Sequence, residues 1–343
     1  MVPNCGRICS APVRATGGTL EMGLRGAPRA RPEDRTRGQE RAMNATEHES
    51  PTGTTTPMPA PGCIVVGVDG SASSLDAVTW AADQAAQDHR SLALVHAYTL
   101  DRMLWVDSMG VDHDIVKVMA EDGRRLLLAA ADHAHRTQPD LEVHEWLFHA
   151  DARSALHEAS RDAAMLVVGS RGRGPVASLL LGSVGVALVR HAVCPTVVRR
   201  PERDHVGTGV LVAVDVREDA RPVLETAYQL AASRELPLTV LVLHHGSASL
   251  STTPDVHDDD RVDHRERLVD WLSDLAVKHP DVRVSERTAD GAAAHVLVEQ
   301  GGEQDLVVVG THVSGGVTSV LGQGLAVSVV EHAPTTVVVV PLG

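Results

Sequence analysis

Residues 164–192 read AMLVVGSRGRGPVASLLLGSVGVALVRHA. The run before Gly169 is short and apolar, as expected of a strand buried on both faces. A glycine-rich loop spans 171–182, and helical spacing resumes with SVGVALVRHA. A strand that passes through such a loop into a helix sets a helix N-terminus at the carboxyl end of a parallel sheet. That end carries unpaired N–H groups and the positive end of the helix dipole, which together attract phosphate. Gly169, Gly172 and Gly182 are expected to let the backbone approach an anion and to take positive φ. Ser183 adds a hydroxyl, and Arg171 and Arg173 add charge at the rim.

Upstream, CIVVGVD from Cys63 is a buried strand, followed by a helix whose early serines can cap it. SLALVHAY is a strand, 111–137 a long helix, LEVHEWLF a strand, and DARSALHEASR a helix with Asp151 as N-cap. Downstream, CPTVVRR closes the unit as a strand. The same order then repeats. GVLVAVD matches CIVVGVD, DLVVVGTHVSGG matches AMLVVGSRGRG, and VVEHAPTTVVVV matches LVRHAVCPTVVR. Gly169 and Gly310 each lie 22 residues before a His-Ala pair, at His191 and His332. The simplest account is a duplication. Strands alternating with helices imply an α/β class: two tandem doubly wound domains, each a five-stranded parallel sheet flanked by helices. The expected boundaries are 62–201 and 207–343. Residues 1–61 are rich in Arg, Pro, Gly, Ser and Thr, without apolar periodicity, and are expected to be a disordered extension. Met43 is an alternative start, which would leave only a short leader.

Composition narrows the function. A net charge of −14 and an aromatic share of 2% argue against nucleic-acid binding, which needs cationic neutralisation and stacking platforms. No apolar stretch approaches the roughly 20 residues of a membrane span. Cys63 and Cys194 lie in apolar runs and are expected to be inert thiols in a reducing cytoplasm, while Cys5 and Cys9 have no partners for a zinc site. Nineteen histidines invite a metal site, but His133, His135, His144 and His149 form no ligand pattern, and no metal is expected. No nucleophile–base order supports a dedicated enzyme, so no catalytic residue is assigned.

Two familiar nucleotide loops are excluded. A P-loop needs Lys followed by Ser or Thr at the helix start. Lysine occurs only at Lys117 and Lys278. A Rossmann fingerprint places three glycines within six residues after the first strand, whereas here that strand ends in Asp69-Gly70-Ser71 and the glycine loop follows the fourth.

The spacing G-x2-G-x9-G-S at Gly169, Gly172, Gly182 and Ser183 resembles the ATP-binding signature of the universal stress protein family. VVGVDGS, LALVHAY, VVGSRGRG and GSVGVALVRHAVCPTVVRR resemble the family's strands and final helix, strongly over 63–200 and more loosely over 209–342. The resemblance is to tandem-domain members of the actinobacterial type, with an adenine-nucleotide α-hydrolase-like fold. It implies ATP, alone or with Mg2+, as ligand. It sets Gly67, Val68 and Asp69 beside the ribose and base, and Ala97 against the adenine. Val168, Gly169, Arg171 and Gly172 would line ribose and phosphates, and Gly182, Ser183 and Val184 would hold phosphate oxygens. Asp69 can cap the following helix as well as face the ligand. Gly185 departs from the family's Ser or Thr and removes one phosphate contact.

The second repeat departs further. Asp215 is kept, but Val216-Arg217 replaces Gly-Ser, and Val313, Gln323 and Gly324 stand at the places of Gly172, Gly182 and Ser183. One nucleotide per chain is therefore expected. The terminal TTVVVV is a hazard as an open edge and is expected to pair with the TVV strand of the first repeat, making an intrachain pseudo-dimer and leaving room for a homodimer. The implied role is a cytoplasmic, ATP-binding regulator of a stress response, acting through a protein partner that the sequence does not name. The alternatives are a nucleotide-independent interaction module and a slow ATP-hydrolysing enzyme.

Overall fold

The computed structural model describes residues 59–99, 112–172, 182–191, 193–201, 207–215, 219–244, 258–312 and 320–342. The expected disordered extension, except for its last three residues, lies outside the described residues, as does the loop interior 173–181 with Arg173. The first repeat runs β1 (Ile64–Gly67), α1 (Ala72–Gln87), β2 (Leu92–Tyr98), α2 (Asp112–Thr137), β3 (Val143–His149), α3 (Ala152–Ala159), β4 (Met165–Gly169), α4 (Ser183–His191) and β5 (Thr196–Arg199). The second runs β6 (Val210–Val214), α5 (Arg221–Ser233), β7 (Leu238–His244), α6 (Asp258–Lys278), β8 (Val284–Asp290), α7 (Ala293–Gly301), β9 (Leu306–His312), α8 (Val320–His332) and β10 (Thr336–Leu342).

Alternation along the strands feeds two cores. In β1, Ile64 and Val66 face one side with Trp80 of α1, Leu127 of α2 and Tyr228 of α5. Val65 faces the other, with Leu156 of α3, Leu188 of α4 and Val330 of α8. Helices thus cover both faces of the sheet, which explains the continuous apolar strands. The buried Cys63 and Cys194 belong to the second core, and burial pushes the Cys194 thiol up to about 12.

The two expected five-stranded sheets are present and meet through their last strands, as expected of the terminal TTVVVV. They join into one ten-stranded sheet of order β3-β2-β1-β4-β5-β10-β9-β6-β7-β8. Every pairing is parallel except the central one, where β5 and β10 run antiparallel with Val198 opposite Val337 and Val197 opposite Val338. The valine-rich last strand therefore has no open edge on that side, as its sequence requires.

Polar side chains lock this joint on both faces. Arg200, 6% exposed, donates to the carbonyls of Val330 and Glu331 at 2.5 and 3.1 Å. These belong to the last turn of α8, whose carbonyls have no helical partner. Thr336 Oγ1 accepts from Arg199 Nη1 and from the Arg200 N–H. On the opposite face Arg234 lies 4.2 Å over the Trp80 ring and donates to Gln84 Oε1 at 2.9 Å. Burial lowers the Arg234 guanidinium to about 10, although Asp83 and Asp88 hold it up. Replacing Arg200 with alanine strands two carbonyls at the centre of the molecule. Arg200→Ala is expected to lower unfolding stability by about 2–3 kcal/mol in urea titration, whereas Arg153→Ala, from an exposed pair with Asp151, changes it by less than about 0.5 kcal/mol.

Candidate functional site

In the first repeat the strand order is β3-β2-β1-β4-β5, so the chain leaves β1 towards one side and reaches β4 on the other. The carboxyl ends of β1 and β4 flank this switch point, where ligands settle in open α/β sheets. A cavity of about 540 Å3 opens there, within the roughly 300–1,000 Å3 typical of small-molecule sites. Gly67, Val68, Asp69, Ala97, Val168, Gly169, Arg171, Gly172, Gly182, Ser183 and Val184 all line it. The structure brings together every described residue named for the site from sequence.

Three helices point their N-termini at this cavity, through Ser74 of α1, Ala152 of α3 and Ser183 of α4. None has an acidic residue in its first turn. Two are capped by side chains: Ser71 accepts from the Ser74 N–H, and Asp151 accepts from Arg153 and Ser154. The third differs. Gly182 precedes α4, and its carbonyl accepts from Val186 at 3.1 Å. A glycine has no side chain to cap with, so the first N–H groups of α4 face the cavity with the dipole's positive end. This is where an anion is best held.

Gly169 and Gly172 serve close packing rather than unusual backbone. Positive φ among the described glycines occurs at Gly62, Gly70, Gly209 and Gly291, not at Gly169 or Gly172. A Cβ on Gly169 would sit 2.6 Å from the Ser73 carbonyl oxygen, because the first turn of α1 crosses the end of β4 there. A Cβ on Gly172 would sit 2.8 Å from Asp69 Oδ2. One at Gly182 would meet nothing within 4 Å among the described residues. Asp69 is therefore set against the loop, and its Oδ1 accepts from the Ser71 N–H at 2.9 Å. Ser71, not Asp69, caps α1. The Arg171 N–H reaches Ser73 Oγ at 3.3 Å, and the Ser170 N–H reaches the Arg199 carbonyl at 2.9 Å. The start of the loop is thus tied to both α1 and β5.

Sequence reasoning missed Ser74, Val95, His96, Ala152 and Leu156, which with Gly185, read in the sequence as a lost phosphate contact, complete the lining. Ala152 and Leu156 stand four apart on one face of α3, a spacing visible in DARSALHEASR. Val95 and His96 immediately precede Ala97 at the same strand end.

The second repeat is built differently at the matching place. Ladder register equates Gly67 with Ala213 and Val95 with Leu241, so Ala97 corresponds to Leu243. Methyl and isobutyl groups thus stand where the first repeat has its least bulky lining. The ladders differ too. β4 and β5 end at Gly169 opposite Arg199, whereas β9 stays paired with β10 through Gly310–Val340, Thr311–Pro341 and His312–Leu342. Leu342 then fills the space beside Gly310, 2.9 Å from where a Cβ would be. Val216, Arg217 and Val313, and the side chain of Gln323, lie outside the described residues.

The universal stress protein family model matches twice, over 63–200 and 208–341, and the chain belongs to that family. A universal stress protein of Mycobacterium tuberculosis is 32% identical over 292 residues, covering 80% of this chain and 96% of the relative. One from Mycolicibacterium smegmatis is 28% identical over 287 residues, covering 81% and 96%. Among solved structures, a universal stress protein from Archaeoglobus fulgidus shares the fold at a TM-score of 0.58 and 17% identity, over 83% of this chain and 97% of that one. No described helix is long and apolar enough to cross a membrane.

The packing separates two glycines that look alike in sequence. Gly169→Ala forces a methyl against backbone and is expected to cost about 1–3 kcal/mol of stability. Gly182→Ala places one where no described atom lies within 4 Å and is expected to cost less than about 1 kcal/mol. Thermal denaturation of the two variants checks this order.

Proposed function

We propose that the chain is an ATP-binding regulator of a stress response that holds one nucleotide, alone or with Mg2+, in the first-repeat cavity. Phosphates rest on the Gly182–Val184 end of α4, beside Gly169, Gly172 and Arg171. The ribose faces Asp69, and the base enters between Val68 and Ala97. Occupancy changes the surface around the 171–182 loop, which a protein partner in the cytoplasm reads. The protein works by binding, not as a dedicated enzyme. All the described lining residues come from the first repeat.

The observation that supports this most is the convergence of the glycine motif with an uncapped helix N-terminus on one cavity of nucleotide size. The restriction to one nucleotide draws on Ala213, Leu243 and the prolonged β9–β10 ladder of the second repeat.

Calorimetry is expected to give a stoichiometry near one ATP per chain. Gly182→Val puts a branched side chain against the phosphates and is expected to weaken binding about 10- to 150-fold, the worth of one charge-assisted hydrogen bond, while the fold survives. Gln323→Ala is expected to leave affinity unchanged. No binding by the parent chain, or full binding by Gly182→Val, would remove the nucleotide from this site.

A further inference from the structure

His96 lines the cavity. Its Nδ1 lies 2.6 Å from the Val68 carbonyl oxygen. A carbonyl only accepts, so Nδ1 carries the hydrogen. The contact falls where β1 and β2 part. Their ladder runs from Ile64–Leu92 to Gly67–Val95, and the Val68 N–H still reaches the Val95 carbonyl at 2.8 Å. In a parallel ladder the next bond would run from the Ala97 N–H to the Val68 carbonyl. The imidazole takes that carbonyl instead.

The ring is held from behind by a glycine in the middle of α2. A Cβ on Gly123 would lie 2.6 Å from Leu147 Cδ1 and 2.9 Å from His96 Cδ2. Glycine weakens a helix interior relative to alanine, so this one is retained against local propensity, and it clears room for the imidazole.

The second repeat supplies an internal control. There Val242 occupies the place of His96, and the β6–β7 ladder continues one residue further, to Val214–Val242. Where the side-chain donor is missing, the ladder closes. Where it is present, the ladder stops short.

We propose that His96 is a positioning residue for the nucleobase: by occupying the Val68 carbonyl it ends the β1–β2 ladder early and leaves the Ala97 N–H for a ring-nitrogen acceptor of the base. This rests on the reading of the cavity as a nucleotide site. An adenine ring presents such acceptors along its edge. Ala97 lines the cavity beside Val68, so the donor and the apolar wall for the ring come from neighbouring strand ends.

The test uses the full chain with His96→Leu, His96→Asn and Gly123→Ala. Exchange of the Ala97 amide is followed by NMR without nucleotide, and affinities for ATP and for inorganic tripolyphosphate are measured by calorimetry. In the parent chain the Ala97 amide is expected to exchange fast. His96→Leu lets the ladder close, slows that exchange at least about tenfold, and weakens ATP about tenfold, the worth of one hydrogen bond, without changing tripolyphosphate affinity. Gly123→Ala, which displaces the ring, moves both readouts the same way. His96→Asn, whose Nδ2 stands where Nδ1 did, restores both. A slow Ala97 amide in the parent chain overturns the proposal, and so does an unchanged ratio of ATP to tripolyphosphate affinity in His96→Leu. A parent chain that binds neither compound overturns the nucleotide reading and the base contact with it, while exchange at Ala97 still decides the ladder.

Discussion

A main-chain N–H in this sheet is either in a ladder or available to something else, and the rest of the structure follows from where each ladder stops. In the first repeat β4 releases β5 after Gly169, and the chain turns out into the loop that leads to α4. In the second, β9 and β10 stay paired for two residues more. The released ends leave a cavity of about 540 Å3, and the prolonged ladder brings Leu342 onto Gly310. Two copies of one fold thereby differ at the matching sheet end through a few backbone hydrogen bonds and the side chains that accompany them.

The joint between the repeats relies on the same accounting. Pairing β5 with β10 removes the edge that each half would otherwise expose. Arg200 and Thr336 satisfy polar groups that the joint buries. The halves are not equivalent here. Register from β2 and β7 matches Asp88 to Arg234, each followed by a residue of positive φ, His89 at 52° and Glu235 at 56°. Opposite charges therefore stand at matching places, and the Asp88 carboxylate helps to hold the buried Arg234 charged. Two copies of the same half would bring like charges together instead. Because Ser170 bonds to Arg199, the loop beside the cavity is one hydrogen bond from this joint.

Much of this was legible in the sequence. Strand and helix order followed from apolar periodicity, because strands buried on both faces read as unbroken Val and Leu runs. The eleven residues that line the cavity together were named from the resemblance to the family, to which the glycine spacing was the entry. The reason for the glycines was not legible. Positive φ is the usual explanation, but Gly169 and Gly172 answer to the Ser73 backbone and the Asp69 carboxylate, which are remote in sequence or across a turn. His96 gave no signal in the sequence, because its partner, the Val68 carbonyl, is a backbone atom with no signature of its own. One nucleotide per chain was expected from Val313 and Gln323, whereas what the described residues show to differ between the repeats is Ala213, Leu243 and ladder length. Ladder length depends on which strand ends keep pairing, and local sequence does not state it.

The central claim is that the ends of β1, β2 and β4 form a nucleotide site and the matching ends in the second repeat do not. Photolabelling of the full chain with an azido derivative of ATP, followed by peptide mapping, tests it most directly. The account predicts label on peptides carrying 67–69, 95–98 or 182–185, removed by excess ATP, and none on peptides carrying 213–215, 241–244 or 310–312. Comparable, ATP-competed labelling of the second group would contradict it.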